Sequence, residues 1–116
     1  MAASLRVSVD ATGPSVVVTV GGDLDYPCAD TLRETLDDVF HGGAAAITID
    51  VGPLTFIDST GLAVLVHAWR QGLEAGVPVR LRHQPPFLMT ILDFTGVGEL
   101  LERPLPGASD AESATA

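Results

Sequence analysis

With 116 residues and 47% hydrophobic side chains, the chain has the size and composition of one globular domain, which excludes disorder of the whole. Fifteen acidic residues against six basic ones, all arginine, give a formal net charge of −9. That balance makes nucleic acid and anionic membrane surfaces poor partners, whereas a basic protein surface is compatible with it.

Cys28 is the single cysteine, so an internal disulfide or a multi-cysteine metal site is excluded, and it reads as a small apolar filler at a helix start. No stretch has the apolar length of a signal peptide or a membrane span, so a cytoplasmic protein is expected. Residues 5–10 alternate apolar and polar, as a half-exposed strand does, and Thr12-Gly13-Pro14 marks a turn into a more apolar strand over 15–20. These two strands are expected to form a hairpin. Gly21-Gly22-Asp23 is read as the end of the second strand, and Asp25-Tyr26-Pro27 as the start of a helix, with proline in its tolerated early position. That helix is expected to run to about Phe40, burying Leu32, Leu36, Val39 and Phe40, and to stop at His41-Gly42-Gly43.

The β-branched run Ile47-Thr48-Ile49-Asp50-Val51 predicts a buried central strand, followed by a loop over 52–57. A second helix follows, with Leu62, Leu65, Val66, Trp69 and Leu73 as its expected buried stripe. Ala63, His67, Arg70 and Glu74 fall on another side, which is either an ordinary solvated face or a docking surface. A strand over 79–82 and a third helix over about 87–94, with Phe87, Ile91 and Phe94 at helical spacing, complete the domain. Residues 104–116, rich in Pro, Gly, Ala, Ser and acidic side chains, read as a disordered tail after a domain spanning 1–103. The expected architecture is α/β, in the order β-β-α-β-α-β-α, with helices packed on a small mixed sheet.

Between the central strand and the second helix stands Thr55-Phe56-Ile57-Asp58-Ser59-Thr60-Gly61-Leu62. Small polar residues here suit a first helical turn, where backbone N–H groups lack partners and the helix dipole is positive. Asp58 or Ser59 can simply cap the helix. A hydroxyl at this point also stands exposed where a phosphate can be held.

Together with the earlier Gly22-Asp23-Leu24-Asp25 and its following helix, this motif resembles the STAS domain, and more closely the bacterial anti-sigma factor antagonists. Their pattern is Gly-acidic-Leu-Asp followed by Asp-Ser-Ser/Thr-Gly-Leu. The resemblance runs from about residue 5 to 103 and implies the same α/β fold. It also implies partner switching. Ser59 takes the position phosphorylated by a cognate anti-sigma factor that is itself an ATP-using serine kinase, and a separate serine phosphatase resets it. Asp23, Asp25, Asp58, Thr60, Gly61 and Leu62 match the motifs around that serine, and Ala63, His67 and Arg70 extend the implied docking surface along the helix. Many members continue Gly-Leu-Gly where this chain has Gly61-Leu62-Ala63. A STAS module that is not phosphorylated, serving nucleotide sensing, scaffolding or a transport assembly, is the rival implied by the same resemblance.

Enzyme readings fare worse. A P-loop needs a lysine, and there is none. The hydrolase nucleophile elbow needs glycine two residues before the serine, where Ile57 stands. His41, His67 and His83 lack zinc-ligand spacing. Ser59 and His67 on one helix are about 12 Å apart along its axis at ~1.5 Å per residue, beyond hydrogen-bond reach. No catalysis, metal or cofactor is expected.

Overall fold

The computed structural model describes residues 5–96, as eight elements. They are β1 (Arg6–Asp10), β2 (Ser15–Leu24), α1 (Tyr26–His41), β3 (Ala46–Asp50), β4 (Leu54–Ile57), α2 (Ser59–Ala75), β5 (Val79–Arg82) and α3 (Pro86–Thr95). The order β-β-α-β-β-α-β-α differs from the sequence expectation by one strand. The expected disordered tail and the end of the expected domain lie outside the described residues.

β1 pairs antiparallel with β2, forming the expected hairpin, and β3 and β5 add in parallel, giving the path β1-β2-β3-β5. Alternation then sorts the side chains. Val16, Val18, Val20, Ile47, Ile49, Val79 and Leu81 are buried on one face, whereas Arg80 and Arg82 on the other are exposed. The helices supply the other half of the core, through Ala29, Leu32, Leu36 and Val39 of α1 and Val64, Leu65 and Ala68 of α2.

The extra strand has a definite cause. β2 does not stop at its glycines: it continues to Leu24 with a shift of register between Gly22 and Asp23, where Gly22 takes φ 84°. This extension gives Leu54–Ile57 a parallel partner, through Gly22↔Leu54, Asp23↔Phe56 and Leu24↔Ile57. Residues 54–57 read as a loop because their burial runs in–out–out–in, without the period-two alternation that marks a strand.

Three further expectations are corrected. Phe40 is only half-buried. The buried stripe of α2 is Gly61, Val64, Leu65, Ala68 and Gly72, while Leu62, Val66 and Trp69 are half-buried and Leu73 is exposed. The small residues allow close approach: a Cβ on Gly61 would lie 2.2 Å from the Leu24 carbonyl oxygen, and one on Gly72 2.3 Å from that of Val77. On α3 the core contacts come from Leu88 and Leu92, with Phe87 and Ile91 half-buried and Phe94 exposed.

Candidate functional site

Two helices begin side by side at the carboxyl ends of β2 and β4, and Asp58 joins them. It is the N-cap of α2, where its Oδ1 accepts the Gly61 N–H at 2.9 Å. Its Oδ2 accepts the Tyr26 N–H at 2.8 Å, in the first turn of α1. The Asp58 N–H in turn donates to the Leu24 carbonyl. Bonding from Gly61, with Tyr26 and Thr60 adding to it, outweighs partial desolvation and holds the Asp58 carboxyl below its ordinary value.

Of the two capping candidates, therefore, Asp58 is the cap, and Ser59 is left exposed as the first residue of α2. Ser59 stands at one end of an open cleft of about 510 Å³, lined also by Leu62, Ala63, Val66, His67 and Arg70. The floor is apolar because Leu62 and Val66 are only half-buried, and two basic-type side chains lie at the far end.

The remaining candidates lie around this cleft rather than in it. Asp25 is the N-cap of α1 in backbone geometry, but its side chain makes no capping bond, and its Oδ1 is buried without a hydrogen-bond partner among the described residues. Asp23 accepts the Thr55 hydroxyl at 3.0 Å, tying β2 to β4. Gly61 is buried beneath Leu24. Thr60 opens onto a neighbouring groove shared with Arg33, Ala63, Val64 and His67, which lies between the two helices. Val66 and Arg33 were not singled out by sequence. Its spacing puts Val66 in the expected core stripe, and Arg33 reaches the site only through the packing of α1 on α2.

A separate polar cluster closes the ends of β3 and β5. Burial would raise the Asp50 carboxyl, but the Gly52 N–H, Arg82 and His83 all bond to it and hold it below its ordinary value. Among the described residues, no three His, Cys, Asp or Glu side chains are grouped to hold a metal ion, and no helix is long and apolar enough to cross a membrane.

Comparison with known proteins matches residues 7–102 to the family described as Mlab, STAS domain. The chain belongs to the STAS domain family. The anti-sigma-B factor antagonist of Bacillus subtilis (strain 168) is 26% identical over 99 residues, covering 85% of this chain and 90% of that protein. An anti-sigma factor antagonist from Mycobacterium paratuberculosis superposes with a TM-score of 0.72 at 26% identity, covering 93% of each chain. The phosphorylated form of the Bacillus cell fate determinant SpoIIAA shares the fold, with a TM-score of 0.68 at 21% identity over 82% of this chain and 87% of that one. This STAS domain thus has the mixed α/β fold of those proteins, with similarity along most of its length to anti-sigma factor antagonists.

Proposed function

We propose that this STAS protein is an anti-sigma factor antagonist that works by partner switching at Ser59. In its unphosphorylated state the α2 cleft docks an anti-sigma factor, itself a serine kinase, and so frees a sigma factor. Transfer of the γ-phosphoryl group of ATP to the Ser59 hydroxyl ends that association, and a serine phosphatase restores it. The chain is then a kinase substrate rather than a catalyst, acting in the cytoplasm on transcription under stress or during sporulation.

The observation that carries this reading is the position of Ser59, exposed at the end of an apolar cleft and directly after a carboxylate that already occupies two helix ends. Phosphorylation adds about −1.5 to −2 charge. The Gly61 N–H, which would otherwise help to hold that charge, already donates to Asp58. Burying even part of an unpaired dianion against Leu62 and Val66 costs several kcal/mol, and each ~1.4 kcal/mol weakens binding about tenfold. A switch of this kind needs no large conformational change.

The test is intact-mass spectrometry after incubation with ATP and the anti-sigma kinases of the same genome. One added phosphate in wild type and none in Ser59→Ala is the expected result. In titrations with the responding kinase, Ser59→Ala binds constitutively and Ser59→Asp binds at least about tenfold more weakly. Equal affinities, or no mass gain with any candidate, would overturn the switch and leave the cleft as the docking site of a STAS module that is not phosphorylated.

A further inference from the structure

The two edges of the sheet are built differently. β5 is four residues long, follows Pro78, and turns Arg80 and Arg82 to its exposed face. Charged, short edge strands resist pairing with other chains. β1 is five residues long, with the uncharged centre Val7-Ser8-Val9 and no proline or bulge, and among the described residues it pairs along one side only. Val9 is 44% exposed on the face that elsewhere forms the core.

The sequence of β1, Arg6-Val7-Ser8-Val9-Asp10, is self-complementary when reversed. An antiparallel copy centred on Ser8 sets Arg6 against Asp10 of the second copy, Val7 against Val9, and Ser8 against Ser8. Opposed residues of antiparallel strands share a face, so both arginine–aspartate pairs form on the solvent side and both valine pairs on the core side. A register centred on one residue is allowed whether that residue forms a hydrogen-bonded or a non-hydrogen-bonded pair. Neither Arg6 nor Asp10 has an ion-pair partner among the described residues; Asp10 accepts only the Thr12 N–H. The same operation on β5 about Leu81 would set Arg80 against Arg82.

We propose that β1 is the interface of a homodimer, in which two copies of this chain join their sheets across a twofold axis at Ser8. The pairing supplies edge hydrogen bonds, covers Val9 with Val7 of the second copy, and forms two symmetric ion pairs. None of the β1 residues lines the Ser59 cleft, so both clefts of the dimer stay open and the proposal stands apart from the switch reading.

Sedimentation equilibrium of the full chain, over about a hundredfold range of micromolar concentrations, is the experiment. Wild type shows a reversible monomer–dimer equilibrium. Arg6→Asp and Asp10→Arg each place like charges opposite and weaken dimerisation at least about tenfold, and the double variant, complementary again, recovers it. Ser8→Asp, at an exposed position where the axis opposes the new carboxylate to its own copy, also dissociates the dimer. Circular dichroism checks that each variant stays folded. A wild type that is monomeric throughout, single variants that dimerise as well as wild type, or a double variant that fails to recover would overturn the proposal.

Discussion

At the scale of single residues, the side chain with the widest consequences is Asp58. Its two oxygens serve two different helices, so Asp58→Ala leaves the Gly61 and Tyr26 donors without an acceptor at once. Because its folded pKa is depressed, its contribution to stability is fully present above the unfolded value, near 3.8, and is lost as pH falls through the folded value. Urea unfolding from pH 7 down to about pH 3 therefore gives a stability gap between wild type and Asp58→Asn that is constant in the upper range and shrinks only below about pH 4. A gap that stays constant to the lowest pH would remove the ionised carboxylate from this role. Asp50 has the same sign, its carboxylate being stabilised by Gly52, Arg82 and His83 against the cost of burial, so the acid limb of wild type reflects both groups.

At the scale of elements, the fit of α2 against Leu24 decides where Ser59 stands. Gly61→Ala would push a methyl group into the Leu24 carbonyl and side chain, at 2.2 and 2.7 Å. Overpacking of this kind costs about 1–3 kcal/mol, and relief requires the first turn of α2 to move outward. Denaturant melts should show that loss for Gly61→Ala, and almost none for Gly13→Ala, whose added Cβ meets nothing within 4 Å.

The same close approach explains how far the sequence could be read. The inward face of α1 was legible at Leu32, Leu36 and Val39 because large apolar residues mark it. That of α2 was misplaced because Gly61, Ala68 and Gly72 carry much of the contact, and small residues leave little trace in a hydrophobic pattern. The fourth strand was invisible for a related reason: its existence depends on β2 running on past two glycines, which is a property of the partner strand. In the site, the Asp-Ser-Thr-Gly run announced a helix start and an exposed serine. The second bond of Asp58, to a backbone group 32 residues away, exists only once the chain is folded.

At the scale of the molecule, charge is unevenly spread. Asp30, Glu34, Asp37 and Asp38 crowd α1, while the Ser59 cleft on α2 contains Arg70 and His67. On a chain of net charge −9, an arginine beside an apolar floor offers a partner's acidic group a local attraction that the rest of the cleft lacks. On the proposed function, Arg70→Glu weakens docking to the anti-sigma kinase about tenfold or more, with an unchanged thermal midpoint. Unchanged affinity would take Arg70 out of the docking surface.

The bond from Tyr26 to Asp58 also orders events in time. Asp25, next to the start of α1, gives that helix no side-chain cap, so the helix begins without a local acceptor for its first donor. The acceptor arrives only after 32 further residues have been synthesised, together with the strand that leads into Ser59. The end of the first helix is therefore fastened only in a chain that already carries the residue directly before the serine. A copy that ends before Asp58 lacks the fastening and the serine alike, so the stapled helix end and the exposed hydroxyl are gained or lost together.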